Sequence, residues 1–449
     1  MRKPNGHYCF TTDYTVSILL EVRTKIHRCL ALLLLIAFGV STQSLNGQTQ
    51  LPLKRDLVWS SPGDEIITPE FSSDGSYIVL VTRAYWPDGG DAEGLPDTFF
   101  KNLEDKKKRN PRFADPVIKL IALNGQVVCE VRYGWNPSLS PDNKRIIFSE
   151  QVRPITGLRE LAETQAGNGI RVFDCGTKQL AKLADPNTGY LDNPFLAADG
   201  QSVIYTENEA ANGAFAGSVG LARFDLQQNR NDSLLNKETV AAVPCPPADS
   251  GKSTRESFMC SQVGSPTSSF SRLVFHVAPA GNKVIALVGM PIPAPGDTYL
   301  AQNYEVDLVT IYPEKRKILS LGKKSMENLE DATFQVVSGQ RVLIFSQYWN
   351  LFSLVTGEPL AEADRKNPRR KSIYSPDLKY FLCAEPEGEP NHFVLYRTAD
   401  GKTLVSLRKM GEVYGAVWSP DSRRFAVVGL PIGSGALNHH EELAVYSVP

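Results

Sequence analysis

One short pattern recurs along the chain and limits the possible folds more than any other feature of the sequence. Residues 136–150, NPSLSPDNKRIIFSE, contain an apolar stretch, a Ser-Pro-Asp-Asn turn and a second stretch rich in apolar residues. Asp and Gly suit such a turn because Asp hydrogen-bonds the backbone ahead of it and Gly adopts a positive φ. Each copy is therefore predicted to be a β-hairpin. The other copies are residues 68–82, 193–207, 372–385 and 416–429, with weaker ones at 273–289 and 333–346.

The spacing of these copies predicts the architecture. Seven turn positions, separated by 39 to 81 residues, anchor them: Asp74, Asp142, Asp199, Ala280, Ser338, Asp377 and Asp421. A second strand-turn-strand pattern follows most hairpins, and four strands in roughly 40 or more residues match the size of a propeller blade. The sequence predicts an all-β fold, a seven-bladed β-propeller of four-stranded antiparallel blades, as a single domain over residues 51–449. No stretch of the mature chain has the pattern of a long amphipathic helix.

The last unit lacks a strand, and the beginning of the domain offers one. Residues 423–430 and 441–449 have the pattern of its second and third strands, while residues 51–61 form a strand pattern ahead of the first hairpin. We predict that this N-terminal strand pairs with the C-terminal blade and closes the ring. Closure removes exposed sheet edges, which otherwise favour aggregation.

The first 47 residues are predicted to be a leader. Basic residues between positions 23 and 28 precede an apolar run at 29–40, and small and polar residues follow, which is the order of a secretory signal peptide over about 23–47. The apolar run is too short for a membrane helix, which needs roughly 20 residues. Because residues 1–21 are polar and partly acidic, translation starting near Val22 is left open. We expect a periplasmic or secreted protein with no transmembrane span in the mature chain.

The cysteines fit an exported protein only in part. Seven cysteines less two in the leader leave five, so at least one is expected to stay free or to pair with another chain. Cys245 and Cys260 flank a loop rich in Pro, Ser and Gly, and they either form a disulfide or remain two unpaired thiols. Cys129 and Cys383 lie in apolar strand patterns and are predicted to be small buried residues.

Composition and motifs favour a role other than catalysis. The net charge is -1, so no overall basic field points to nucleic acid as a partner. The sequence has no G-x-S-x-G elbow, no H-E-x-x-H metal motif, no P-loop and no dinucleotide fingerprint. His439 and His440 are adjacent, and adjacent residues of a strand face opposite sides, so no metal site is predicted there.

The long insertions fall on one face of the predicted propeller. They are residues 84–115, 152–168, 208–218, 241–271, 290–303 and 430–441. Long loops in a compact fold are usually functional or disordered. We predict that this loop-bearing face, with the mouth of the channel, binds a partner. Trp86, Asp88 and Asp91 in the first insertion are candidate binding residues, because exposed aromatic side chains suit a protein or carbohydrate partner. The alternative is that they cover the first blade.

A second group of candidates lies at the starts of the inner strands, next to the predicted channel. Its members are Glu70, Trp135, Asp192, Asn193 and Tyr414. They are predicted to bind a small ligand or a cation, of which calcium is the candidate. The alternative for the Asn-Pro pairs at 136–137 and 193–194 is a purely structural role at a turn or a strand start.

The best copies of the turn resemble a known repeat. Trp418-Ser419-Pro420-Asp421, Leu139-Ser140-Pro141-Asp142 and Tyr374-Ser375-Pro376-Asp377 are similar to the TolB-type propeller repeat, a relative of the WD-type repeat that occurs in exported bacterial proteins. The resemblance extends over almost all of the mature chain and implies a propeller. It implies little about function, because similar blades serve in binding scaffolds, peptidase gating domains and lactonase-like enzymes.

Two functions remain open from the sequence. The favoured one is a non-catalytic, exported, monomeric propeller that binds a protein or cell-envelope component through the loop-bearing face and needs no cofactor. The alternative is a metal-dependent enzyme of the lactonase or glycan-lyase kind, in which the channel carboxylates of Glu70 and Asp192 hold a divalent cation.

Overall fold

The computed structural model describes the chain in segments. These are residues 53–85, 97–110, 115–151, 168–186, 190–211, 214–244, 267–293, 301–326, 329, 333–337, 341–345, 349–362, 372–385, 392–407, 412–431 and 439–448. The predicted leader, the candidate residues Trp86, Asp88 and Asp91, and the cysteine pair at 245 and 260 lie outside the described residues. Within the described segments, no helix has both the length and the hydrophobicity needed to cross a membrane.

Nearly all regular structure in these segments is antiparallel β-sheet. Five sheets have four strands each. They are sheet one (β2, Asp64–Phe71; β3, Tyr77–Ala84; β4, Val117–Ala122; β5, Val127–Arg132), sheet two (β6, Gly134–Leu139; β7, Arg145–Glu150; β8, Gly169–Asp174; β9, Leu180–Ala184), sheet four (β20, Thr333–Val337; β21, Arg341–Phe345; β22, Trp349–Ser353; β23, Pro359–Glu362), sheet five (β24, Ile373–Tyr374; β25, Tyr380–Glu385; β26, His392–Arg397; β27, Thr403–Ser406) and sheet six (β28, Glu412–Trp418; β29, Arg424–Leu430; β30, His440–Ser447; β1, Lys54–Pro62).

The remaining strands form sheet three, which has eight strands, and a two-stranded ribbon. Sheet three contains β10 (Tyr190–Leu196), β11 (Ser202–Ala211), β12 (Ala214–Asp225), β13 (Arg230–Leu235), β16 (Leu273–Ala280), β17 (Lys283–Pro291), β18 (Asn303–Tyr312) and β19 (Arg316–Ser325). The ribbon consists of β14 (Thr239–Pro244) and β15 (Thr267–Ser271).

The prediction of an all-β propeller is confirmed, but the count of seven separate blades is not. The described residues form five separate four-stranded blades, and the strands predicted for blades three and four share one sheet. The reason is the length of β12. Its later residues, from Leu221 to Asp225, pair with β13, whereas its earlier part reaches β16 through the pairing of Ser218 with Val274.

The seven predicted hairpins are all present, because each pairs as an antiparallel ladder of two successive strands. Hydrogen bonds within the turns stabilise their conformation. In the first, Ser72 Oγ donates to Asp74 Oδ1 at 2.7 Å and accepts the backbone N–H of Tyr77 at 3.0 Å, while Gly75 has a φ of 69°. The hydroxyl of Ser72 and the backbone N–H of Ser76 lower the pKa of Asp74 to about 2.

The N-terminal strand lies at the edge of the C-terminal sheet. β1 pairs antiparallel with β30, with Lys54 opposite Ser447 and Pro62 opposite His440. The hydroxyl of Ser447 donates to Asp56 Oδ2, and Arg424 Nε lies 3.7 Å from the same carboxylate. Strands from the two ends of the domain therefore belong to one sheet.

Hydrophobic side chains fill the spaces between neighbouring sheets. Ile78 and Leu80 of sheet one pack with Val428 and Leu443 of sheet six, and all four are at most 1% exposed. A fully buried side chain of this size contributes roughly 1.5–3 kcal/mol to folding. The sheets are therefore held face to face, as in a propeller.

One helix corrects the prediction that this part of the chain is a loop. α1 (Asp97–Arg109) lies between β3 and β4. Its acidic first residue and basic last turn complement the helix dipole, and Lys108 lies 3.6 Å from Asp105. The helix ends before Pro111, which disfavours helical φ and ψ in the residue ahead of it.

A disulfide joins sheets one and two. Cys129 on β5 is buried, as predicted, but it is bonded to Cys175, the residue after β8, with an S–S distance of 2.05 Å. Cys383, also buried, is disulfide-bonded too. The sequence did not predict either disulfide, because the pairing of cysteines cannot be deduced from their order along the chain.

Candidate functional site

The inner strands of several sheets share a β-bulge. In sheet two, Asn136 and Pro137 together lie opposite one residue of β7, because the ladder skips from Trp135 to Ser138. In sheet three, Asn193 and Pro194 lie in the same way opposite β11.

The residue types explain these bulges. The two asparagines have φ values of 46° and 47°, a left-handed conformation that Asn tolerates better than most residues. Proline fits the next position because a bulge needs no ladder N–H there. β2, β16 and β28 shift register at comparable places. A purely structural role, the alternative given for the Asn-Pro pairs, thus accounts for their backbone conformation. They play this role in a bulge.

Asp192 lies beside the second bulge and ties it to sheet two. Its Oδ1 accepts hydrogen bonds from Asn136 Nδ2 at 2.7 Å and from Ser149 Oγ at 2.9 Å. Its backbone carbonyl accepts a bond from Thr206 Oγ1 at 3.0 Å. Burial raises the pKa of Asp192, and the hydrogen bonds from Asn136 and Ser149 oppose that rise. The carboxylate is therefore engaged in a structural link between two inner strands.

The link gives a direct prediction. Asp192→Ala leaves the Asn136 amide and the Ser149 hydroxyl without this acceptor, so the free energy of unfolding should fall by about 1–3 kcal/mol. Urea denaturation measures the change. The control is Asn193→Gly, which removes an exposed neighbouring side chain and keeps the positive φ accessible, and it should change stability by less than about 0.5 kcal/mol. Equal losses in both variants would contradict the structural role of Asp192.

Trp135 lies near the end of the inner strands that carries the long insertions. Its indole N–H donates to Gln151 Oε1, and the Arg83 guanidinium lies over its ring at 5.9 Å from the centroid. Arg83 Nε also lies 2.7 Å from Glu65 Oε2. Burial raises the pKa of Glu65, and the charge of Arg83 acts against that rise.

A stacked pair continues this cluster towards sheet six. The rings of Tyr85 and His439 lie parallel, 3.6 Å apart, and His439 Nε2 is 3.2 Å from Glu441 Oε1. Glu441 Oε2 accepts the backbone N–H of Ile66, which fixes sheet six to sheet one. We call Glu65, Arg83, Tyr85, Trp135 and His439 the upper cluster.

The two adjacent histidines, one just before β30 and one at its first residue, contact different carboxylates. His439 contacts Glu441 and His440 contacts Glu442 at 3.3 Å, each two residues along. Among the described residues, no three His, Cys, Asp or Glu side chains come together in a way that could hold a metal ion.

A cavity of about 660 Å³ lies among the inner strands of sheets one, two and three. Phenylalanine and proline supply much of its wall, including Phe71, Phe195 and Phe275. The lining also includes Ser73, Pro141 and Pro420 of the short turns, and Pro279 near the end of β16. The cavity thus extends from the bulges to the short turns, with Thr206 and Ser218 on its other side, and no residue of the upper cluster lines it.

The predicted site residues divide between several places. Glu70 and Asn193 line the cavity, whereas Asp192 and Trp135 are not part of its lining. Tyr414 lies on β28 at the register shift between Val413 and Gly415. Sequence reasoning missed the hydrophobic wall, since Phe275 belongs to one of the weak hairpin copies, where the turn aspartate is absent.

Glu70 is unusual among the residues at its position in the repeat. It is the fourth residue before the turn anchor, where the other copies carry Ser138, Phe195, His276, Phe334, Ile373 and Val417. Desolvation by the surrounding protein raises the pKa of Glu70 to about 7. The exposure of the residue limits this effect. The site therefore holds a carboxylate that takes up a proton more readily than an ordinary glutamate.

Comparison with known proteins identifies the fold alone. No protein-family model matches the sequence, and no curated protein matches it. The β-propeller domain of the Trilobed protease from Pyrococcus furiosus, described as having an open velcro topology, is similar with a TM-score of 0.50 and 11% identity over 85% of this chain and 93% of that one.

Two further solved structures are similar at lower scores. The β-propeller domain of Cps50 (Swd1) from Myceliophteria thermophila has a TM-score of 0.48 and 10% identity over 89% of this chain and 100% of that one. The acylaminoacyl peptidase of Pyrococcus horikoshii has a TM-score of 0.47 and 12% identity over 82% of this chain and 49% of that one. The sheets described above and the first similarity together show that this chain has the β-propeller fold.

Proposed function

We propose that the mature chain is an exported, non-catalytic β-propeller that binds a protein or a cell-envelope component through its loop-bearing end. One observation carries the proposal, and it is the unequal length of the connections at the two ends of the sheets. The connections from second to third strand include residues 85–116, 151–168, 292–302 and 431–439, whereas those from first to second strand are as short as 72–76 and 140–144. A face that alone carries long connections is the one adapted to a partner.

The side chains at the base of these connections suit a protein partner. The upper cluster combines Trp, Tyr and Arg, the residue types enriched where binding energy concentrates in interfaces. α1 emerges from the same end, and Lys101, Lys106, Lys108 and Arg109 on it are exposed. The proposed interface therefore combines exposed basic groups on α1 with a part-buried aromatic cluster beneath the long connections.

Export is supported by the cysteine chemistry. Cys129 and Cys175 form a disulfide. Disulfides persist in oxidising compartments and are rare in a reducing cytosol. The bond agrees with the signal peptide predicted over about 23–47 and with the resemblance to the TolB-type repeat. A periplasmic or secreted location is accordingly part of the proposal.

A ring of seven blades closed by β1 is the finer architecture that we propose. Sheet three divides into two four-stranded halves, β10–β13 and β16–β19. These halves pack against each other through a cluster of their own that includes Ile204, Leu221, Val284 and Ala286, as separate blades do. The packing of Leu80 against Leu443 supports closure between sheets one and six.

The enzyme alternative has weaker support. It requires the carboxylates of Glu70 and Asp192 to share a divalent cation, yet the Asp192 carboxylate accepts bonds from Asn136 and Ser149. Calcium prefers six to eight oxygen ligands, commonly from several carboxylates. One carboxylate on the cavity wall does not provide such a set.

The test compares the two ends of the propeller. In one variant, residues 97–110 are replaced by a Gly/Ser linker of equal length, which removes α1 and leaves the pairing of Thr82 with Val117 in place. The control reverses three exposed charges on short turns: Lys144→Glu, Lys178→Glu and Lys402→Glu. Each protein is cross-linked in intact cell envelopes, and the partner recovered with the unaltered protein is then titrated against all three.

We expect the variant without α1 to lose at least about tenfold in affinity, or about 1.4 kcal/mol, and the control to bind normally. Loss of binding in the control alone would overturn the assignment of the face. Recovery of the unaltered protein in the cytosol with its thiols reduced would overturn the proposed export.

A further inference from the structure

The central cavity has the properties of a small-molecule site. Its volume of about 660 Å³ is within the range of pockets that enclose small ligands. Among the lining residues that the structure describes, Glu70 is the one carboxylate, and neither Lys nor Arg is present. The wall is otherwise made of proline, phenylalanine, aliphatic side chains and a few uncharged polar groups. The cavity thus has apolar and uncharged polar walls and a single acidic group.

Glu70 has no counter-charge in the described part of the protein. No hydrogen bond or ion pair from the described residues reaches its carboxylate, and enclosure is the cause of its raised pKa. The fold does not require a carboxylate here, because the same position in other copies is Ser138, Phe195, Ile373 or Val417. The residue is exposed to the cavity, and no described cation neutralises it. A ligand that brings a positive charge would supply the missing counter-charge.

We propose that the cavity binds an organic cation, a ligand with an ammonium group on an apolar body, and that the Glu70 carboxylate is its counter-ion. The inference is independent of the proposed partner at the loop-bearing end, since no residue of the upper cluster lines the cavity.

The neighbouring polar groups fit an ammonium group. An ammonium has three hydrogens to donate and accepts none. Asn193 and Ser138 line the same cavity and offer acceptor oxygens. The amide nitrogen of Asn136 is already bonded to Asp192, so its oxygen is the part left to accept. Phe71 and Phe195 in the lining suit the apolar body of such a ligand.

A divalent metal ion fits the cavity less well than a singly charged organic cation. Calcium would need several charged oxygen ligands. Asp192, the other carboxylate that the sequence analysis assigned to the channel, accepts hydrogen bonds from Asn136 and Ser149. A single carboxylate matches a single positive charge. The phenylalanine side chains would contact a hydrocarbon body and have nothing to offer a hydrated metal ion.

The affinity of the cavity for an organic cation should fall as the pH is lowered. Glu70 and His276 are the titratable residues in the described lining. Burial lowers the pKa of His276, so it stays neutral at neutral pH. Glu70, with its pKa raised to about 7, gains a proton as the pH falls through that value. An alkylammonium keeps its charge throughout, so its affinity should fall between pH 8 and pH 5.5.

The test uses phenethylammonium chloride as the probe and 2-phenylethanol as its neutral counterpart, with the mature chain from Gln48. Ligand-observed NMR titration suits an expected Kd on the order of 10 mM, which is typical of so small a ligand. We expect the ammonium compound to bind at least tenfold more tightly than the alcohol. Glu70→Gln should remove this preference, and the matched control Glu358→Gln, at an exposed turn residue, should keep it.

The outcomes separate clearly. Equal affinity for the two probes, no binding of the ammonium compound at about 50 mM, or an unchanged preference in Glu70→Gln overturns the proposal. Calcium binding that is lost in Glu70→Gln, without ammonium binding, also overturns it and favours a metal site. If Glu70→Gln does not fold, the pH titration of the unaltered protein decides: a constant affinity between pH 8 and pH 5.5 overturns the proposal, and a fall at low pH supports it.

Discussion

Replacing both Cys129 and Cys175 by serine is expected to lower the free energy of unfolding by about 4 kcal/mol. The bond closes a loop with a sequence separation of 46 residues, and loop entropy in the unfolded chain sets this magnitude. Guanidinium denaturation of the oxidised protein and of the double variant measures the difference.

The single variant Cys175→Ser separates the cross-link from the side chains. It should lose nearly as much stability as the double variant, because either substitution removes the bond. Cys129 is buried, so Cys129→Ser adds a small cost for a hydroxyl in an apolar site. If the double variant remained as stable as the oxidised protein, the cross-link would contribute nothing to the fold.

The second large effect is expected from Phe425→Ala, which should cost about 3–5 kcal/mol of unfolding free energy. Phe425 on β29 is fully buried. Its ring centre lies 5.2 Å from that of Trp418 on β28 and 5.3 Å from that of Tyr446 on β30. The three aromatic side chains pack across sheet six, so the substitution opens a cavity at the centre of this row.

Thermal and urea denaturation of Phe425→Ala, beside Phe425→Leu, measure the effect. Leucine restores part of the lost volume and should recover part of the stability. The control is Arg423→Ala, because Arg423 is exposed on the neighbouring turn. A loss below about 1 kcal/mol for Phe425→Ala would mean that the row carries little of the packing energy of sheet six.

The hairpins were predictable because their turns are local. The pattern Ser-x-Asp, followed by a residue of positive φ, is stabilised by local bonds such as Ser375 Oγ to Asp377 Oδ1 at 2.7 Å and Ser419 Oγ to Asp421 Oδ1 at 2.6 Å. Such turns form whatever the rest of the chain does. The propeller then followed from the number and size of the units.

The features that sequence analysis missed depend on contacts across the fold. The merging of two predicted blades depends on where the long strand β12 meets β16. The disulfide depends on Cys129 and Cys175 meeting across two sheets. α1 is different, since its acidic start and basic end are local signals that the sequence analysis assigned to a solvated loop.

The candidate site was predictable in its residues more than in its arrangement. Glu70 and Asn193 were identified from their place at the inner strands and do line the cavity. Asp192 has the same residue type and a similar place, yet a buried hydrogen-bond network engages it. The difference arises from a bulge, which changes the side of the strand to which the residues after it point. The two-residue alternation of a regular strand does not reveal such a bulge.

The pairing of β1 with β30 has a consequence for the order of events during biosynthesis. Lys54 and Ser447 lie at opposite ends of the domain and share one ladder. β1, the edge strand of a sheet whose other strands are synthesised last, is among the first segments of the domain to leave the ribosome. It must therefore remain unpaired until nearly the whole chain has followed it. Contacts of such long sequence separation form slowly. The pairing of β1 with β30 is therefore one of the last contacts of the domain that synthesis permits.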